Sequence, residues 1–341
     1  MKPYPILILA VFVFIGSLTF SSISLAKEDE WTKKADMPTP RCGTCSGVIE
    51  GKIYVIGGAK DVTIPLPNVE EYNPVTDTWT KKKDMPNGRC FGSSTEVNGK
   101  IYVIGGYEKS DVLSTVEEYD PVTDTWTKKK DMPTKRAGLS VSAVNGKIYA
   151  IGGLSVWDWR PSLSTVEEYD TATDTWTKKA DMPTARVWLS TTALNGRIYA
   201  IGGWADVLYS SAVEEYDPAT NTWTNKSSMP ALTCEHSASA VDGKIYAISG
   251  DPDVTEMYDP STDTWEKKAN IPTRRGSFSA GAVNGKIYAI GGSTVGIVPS
   301  SRVVPTIASV EEYDTGFSDL ISSVDAKGKL AATWGEIRNK K

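Results

Sequence analysis

The stretch Asn145-Gly146-Lys147-Ile148-Tyr149-Ala150-Ile151-Gly152-Gly153 decides the fold, because it is one copy of six. The other copies end at Gly57-Gly58, Gly105-Gly106, Gly202-Gly203, Ser249-Gly250 and Gly291-Gly292. Asn145-Gly146 suits a tight hairpin, since both residues tolerate positive φ. Ahead of it, Leu139 to Val144 reads as a first strand, a. Behind it, Lys147 to Gly153 reads as strand b, apolar on both faces as a sheet packed on both sides requires. Val166-Glu167-Glu168-Tyr169-Asp170 follows as strand c, and the Asp170 to Asp174 segment makes a turn. Thr175-Trp176-Thr177-Lys178-Lys179 is strand d, closed by Pro183.

The same four-strand unit repeats along the chain. Its tyrosines are Tyr72, Tyr119, Tyr169, Tyr216, Tyr258 and Tyr313. Its tryptophans, Trp31, Trp79, Trp126, Trp176, Trp223 and Trp265, stand 48, 47, 50, 47 and 42 residues apart. A lone four-stranded sheet with two apolar faces cannot stand in water. Stacking such sheets radially buries both faces and leaves short edges. The expected fold is therefore all-β, a six-bladed β-propeller with four-stranded blades. The chain opens on a strand d around Trp31 that has no a, b or c before it, and its last copy lacks a tryptophan seven residues after Tyr313. The N-terminal strand is thus expected to complete the last blade. Trp334, 21 residues past Tyr313, is the rival for that slot.

Four apolar residues, a glycine pair, and then Tyr and Trp at fixed spacing resemble the kelch repeat, from about residue 30 to residue 315. A WD-type propeller is disfavoured, since no Gly-His to Trp-Asp pattern occurs. Blade five departs from the pattern at Ser249 and Met257.

The first 26 residues read as a signal peptide. Lys2 precedes an apolar run from Ile6 to Phe20, and Ser24-Leu25-Ala26 is a small-x-small cleavage site. An uncleaved anchor is the rival, set against a run of only 15 residues. The expected organisation is leader 1–26, propeller 27–316 and tail 317–341, in a secreted or periplasmic protein without a later membrane span. The formal net charge of −5 becomes −6 when Lys2 leaves with the leader. An acidic body does not attract phosphate backbones, so nucleic acid is excluded as a partner. A monomer is expected. Cys42, Cys45, Cys90 and Cys234 are too few for a disulfide framework, and a Cys42–Cys90 bridge between adjacent blades is left open.

All length variation lies between the glycine pair and strand c. These b–c loops hold 10, 9, 12, 9, 4 and 17 residues in blades one to six. They share one face with the d–a junctions, whereas the a–b and c–d turns on the other face are short and alike. Unequal loops on a rigid frame are the usual layout of a binding surface. Trp157, Trp159, Arg160, Trp204 and Tyr209 are its candidate contacts, being types that anchor interfaces and stack on sugars. Arg41, Arg89, Arg136, Arg186 and Arg275 recur ten residues after each tryptophan, with Thr233 in blade five. Two readings of them stand. One is a per-blade structural role, bound to carbonyls or acids. The other is a cationic collar at the channel mouth, suited to carboxylates. Trp188, Glu235 and His236, with Phe91, Leu189 and Phe278, are placed at the channel entrance. The glutamate pairs, such as Glu70-Glu71, read as structural.

His236 is the only histidine. This excludes histidine-rich metal sites and makes a Ser-His-Asp triad improbable. It also lacks the two-histidine copper site of the galactose-oxidase-like kelch enzymes. No metal or cofactor is expected. The leading expectation is a binding module for a protein or glycan. The alternative comes from resemblance to exported kelch propellers of the N-acetylneuraminate epimerase type. It is a sugar mutarotase or epimerase in which the arginine collar, Glu235 and His236 would serve.

Overall fold

The computed structural model describes residues 29–60, 64–109, 111–156, 161–250, 252–295 and 305–317. These form six four-stranded antiparallel sheets arranged as a propeller. Blade three is typical, with strands Ser140–Val144, Lys147–Ile151, Val166–Asp170 and Thr175–Lys178 running outward from the channel. No helix among the described residues is long and apolar enough to cross a membrane.

The recurring Tyr, Trp and Asp form one latch between blades. Register sets Tyr169 opposite Trp176, and their rings meet at 5.0 Å between centroids. Trp176 Nε1 donates to the Lys130 carbonyl of the preceding blade (3.0 Å). Asp174 accepts from the Lys130 N–H (2.9 Å) and from the Tyr169 hydroxyl (2.6 Å). Asp174 can do this because it sits in the left-handed region (φ 55), which Asp tolerates at a turn.

The seam of the ring uses the same latch. Blade six takes Ser279–Val283, Lys286–Ile290 and Val310–Asp314 from the C-terminal end and Glu30–Lys34 from the N-terminal end. Trp31 pairs with Tyr313 in register. Its Nε1 donates to the Ala269 carbonyl (2.9 Å), while Asp29 (φ 60) accepts from the Ala269 N–H (2.7 Å) and the Tyr313 hydroxyl (2.6 Å). Trp31 thus holds the slot expected of it. Its rival Trp334 lies outside the described residues.

Steric contact explains the glycine pair. A Cβ on Gly152 would stand 2.5 Å from the Arg186 carbonyl of the next blade, and one on Gly153 would stand 2.9 Å from the Ala137 carbonyl of its own. Both glycines have positive φ (65 and 98), and the Gly153 N–H donates to the Arg186 carbonyl (2.8 Å). Two close backbone crossings therefore meet at one dipeptide.

Both free edges of each blade are answered locally. On the channel edge, the Ser93, Ser140 and Ser190 hydroxyls accept from the N–H groups of Val141, Thr191 and Ala238 in the following blades. On the outer edge, strand-d lysines pair with acids, as Lys179 does with Glu168 (2.9 Å) and Lys178 with Asp181 (3.2 Å). Lysines there also guard against sheet-to-sheet pairing.

Chain direction puts Asp29 at the c–d turn position of blade six. Phe317 packs over the a–b turn, where a Cβ on Gly285 would strike its carbonyl at 1.6 Å. Both ends of the described chain therefore leave from the face opposite the b–c loops.

Candidate functional site

The loop-face end of the channel is encircled by a ring of six backbone hydrogen bonds, one residue from each blade. Phe91 N–H donates to Gly43, Gly138 to Phe91, Trp188 to Gly138, Glu235 to Trp188, Ser277 to Glu235, and Gly43 to Ser277 (2.7–3.2 Å). All six residues are left-handed, with φ between 50 and 62. For residues as bulky as Phe91 and Trp188 that conformation is costly, on the order of 1–3 kcal/mol each, and the closed ring holds it. The side chains work in pairs. The Phe91 ring occupies the space over Gly43, where a Cβ would meet it at 2.7 Å. Trp188 covers Gly138 in the same way, and the Ser277 hydroxyl donates to Glu235 Oε2 (2.9 Å).

Above the ring, Phe91 and Trp188 pack with Cys90, Val112, Leu154 and Val187, and with Tyr107, Trp204 and Cys234 at the margin. A small cavity of about 90 Å³ lies at the ring itself. Below it, the channel widens to about 450 Å³, lined by serines and threonines of the six innermost strands together with Glu96 and small apolar residues. Cys42, Cys45 and Cys90 are buried, and Cys234 is partly buried.

The arginines do not form a collar. Arg41, Arg136, Arg186 and Arg275 are 0% exposed and Arg89 is 2% exposed. Each turns inward to its own blade. Arg136 donates to Glu167 (2.6 Å) and to the carbonyls of Ala150, Gly152 and Thr165 (3.0–3.2 Å). Arg41–Glu70, Arg89–Glu117, Arg186–Glu214 and Arg275–Glu311 repeat the ion pair. A buried guanidinium needs an acid and several acceptors, and the first glutamate of each pair provides the acid. The second binds strand b, as Glu168 does with the Tyr149 hydroxyl (2.8 Å) and Lys147 (2.7 Å). In blade five, Thr233 replaces the arginine and bonds the Ser249 hydroxyl (2.6 Å). Glu256 is left with the Ala231 N–H (3.3 Å), and burial raises its pKa.

His236 lines the cavity at the mouth, as expected, but is itself buried. His236 holds the register position of Leu139 and Leu189, which pack into the cores between blades. Its imidazole lies against Gly202, where a Cβ would come within 2.7 Å of Cε1. Burial, aided by the Arg186 charge and opposed by the Ile201 backbone, pushes its pKa down to about 4. His236 therefore stands at the mouth as a buried, neutral imidazole. Leu189 and Phe278 likewise pack into the cores between blades while lining the cavity at the ring, the entrance expected for them. Phe91, Glu235 and Trp188 complete the lining of that cavity, and all three are buried. The apolar residues at the His236 position in neighbouring repeats were the available signal.

The most prominent feature of the loop face is a hairpin in blade four, Trp204–Ala205 paired with Leu208–Tyr209. Trp204 and Tyr209 meet edge to face at 5.2 Å. Val207, Leu208 and Tyr209 are exposed. Asp206 Oδ1 takes the Ser162 N–H (2.7 Å), tying the hairpin to blade three. Trp157, Trp159 and Arg160 lie outside the described residues.

The KLHDC2/KLHL20/DRC7 Kelch-repeats domain matches residues 22–203. The chain belongs to the kelch-repeat family. The Kelch motif matches again at residues 189–230 and 274–317, so the kelch assignment extends through blade six. Among solved structures, that of YjhT resembles this kelch propeller with a TM-score of 0.69 at 16% identity, over 81% of this chain and 95% of that one. At that identity the likeness concerns the fold. No curated protein matches the chain.

Proposed function

We propose that this kelch protein is an exported, non-enzymatic binding module that takes a protein or glycan ligand on its b–c and d–a loop face. One observation carries the reading. Of the nine exposed large apolar residues among those described, seven (Ile64, Val156, Val207, Leu208, Tyr209, Leu232 and Val295) belong to that face. The other two, Val75 and Val122, sit in c–d turns. A scattering of single apolar residues carries no meaning, but a concentration on one face marks an interaction surface. The sugar-epimerase alternative relied on an arginine clamp, and those arginines are committed inside the blades.

The test compares two variants of the full mature protein, on a glycan array that includes sialic acids and in crosslinking to envelope proteins. Serine at 207, 208 and 209 is expected to abolish ligand capture. Serine at Val75 and Val122 is expected to preserve it. Equal capture by both variants would reject the loop face.

A further inference from the structure

We propose that the channel binds a small organic ammonium ion at Glu96, near its a–b turn end and apart from the loop face. The innermost strands of the six blades present equivalent positions to the channel. At one of them, opposite an isoleucine of strand b, five blades carry Val48, Ala143, Ala193, Ala240 and Ala282. Blade two alone carries an acid there, Glu96 opposite Ile101. Blade one makes room for it. A Cβ on Gly47 would stand 3.1 Å from Glu96 Oε1, and the same oxygen accepts the Val48 N–H. Glu96 is half-buried, set in the channel wall. Among the described residues lining the channel it is the only acid, and no lysine or arginine joins it. Glu167 and Glu168, by contrast, have Arg136 and Lys147. Burial raises the Glu96 pKa, and only backbone N–H groups, of Val48 and of Glu96 itself, oppose it. Withdrawing a carboxylate from water without a cation is costly. Alanine serves the fold at the same position in four blades, so the fold does not require that cost.

Two features select the ligand. Size is the first. The channel's volume of about 450 Å³ falls within the range of small-molecule sites, roughly 300–1,000 Å³, and far exceeds a bare ion. No three His, Cys, Asp or Glu side chains gather among the described residues, so the donor set does not suit a metal ion. Hydrogen-bond polarity is the second feature. Ser94 stands two residues before Glu96 and shares its strand face. The Ser94 hydroxyl donates to the Ser46 carbonyl (2.7 Å), and the Ser46 hydroxyl donates to the Ala280 carbonyl (3.1 Å). Those protons are committed, and both residues line the channel with their oxygens left as acceptors. A carboxylate beside hydroxyl acceptors suits a group that only donates. A protonated primary amine brings three N–H donors and the absent positive charge.

The probes are matched pairs that differ by one amine, serinol against glycerol and aminohexanol against hexanediol, with calcium chloride as the rival cation. Each is titrated into the full mature protein by calorimetry and ligand-observed NMR. The amines are expected to bind more than about tenfold tighter than their alcohols, the scale of a charge-assisted hydrogen bond. Glu96→Gln keeps the shape and an acceptor for the Val48 N–H. It should remove that preference without lowering the melting temperature, since it relieves a buried carboxylate. Asp253→Asn changes an exposed acid of blade five and should leave amine binding intact. Equal affinity for amine and alcohol, no binding of either amine, or unchanged binding by Glu96→Gln overturns the assignment. Loss of binding in Asp253→Asn as well would also overturn it, by assigning the effect to surface charge. Calcium held through Glu96 with no amine bound would replace the ammonium ion with a metal. Ligand capture on the loop face should be the same in Glu96→Gln and the parent protein, so this assignment and the binding-module reading fail separately.

Discussion

Blade five shows what one residue does in the other five. Arg136 is wholly buried, and burial pushes its guanidinium down to about 10 while Glu167 holds it up. Arg136→Ala would leave the Glu167 carboxylate without its counter-charge, at an expected cost on the order of 3–5 kcal/mol in urea unfolding. Glu256 lacks such a partner, so Glu256→Gln should cost far less, about 1 kcal/mol or below. His236 supplies a pH prediction. Its folded pKa of about 4 lies below the ordinary 6.5, so the unfolded chain binds the proton more readily between those values. Stability from this residue is present above pH 6.5 and is lost as pH falls towards 4, by on the order of 3 kcal/mol. His236→Leu should remove that loss from a comparison of unfolding at pH 7 and pH 4.5. The arginine position was legible in the sequence, but the direction of its side chain was not. A fixed spacing shows that each blade needs the residue, and a collar and an internal pair give the same spacing.

At the scale of the element, the seam strand is a separate piece of chain performing the work of an intact blade. It reproduces all three latch hydrogen bonds and the Tyr–Trp contact, at 5.1 Å against 5.0 Å in blade three. Trp31→Ala and Trp176→Ala should therefore destabilise to a similar degree, on the order of 3 kcal/mol, as judged by chemical unfolding. A much smaller effect at Trp31 would mean that the ring opens at its seam before it unfolds. Strand order, blade number and closure were readable because each follows from a spacing. The hydrogen-bonded ring at the mouth was not. Its members are Gly43, Phe91, Gly138, Trp188, Glu235 and Ser277, which share no chemistry, and only backbone geometry unites them.

For the molecule as a whole, the two ends of the channel differ in kind. The loop end is encircled by six hydrogen bonds beside an apolar cluster, whereas the body below carries serine and threonine hydroxyls and Glu96. Export remains a proposal, and it makes a sharp prediction. Cleavage after Ala26 would leave a mature chain beginning at Lys27, to be read by intact-mass measurement. That cut spares Asp29 and Trp31, so the seam survives processing, whereas a cut a few residues later would remove the Asp29 latch.

The exit of Asp29 and Phe317 from the face opposite the loops has a practical consequence. A protein grafted to a support, a reporter or another domain through either end would still hold out its hairpins to the medium. Surface immobilisation by an end tag should therefore cost little capture capacity, whereas random coupling through lysines should not share that advantage.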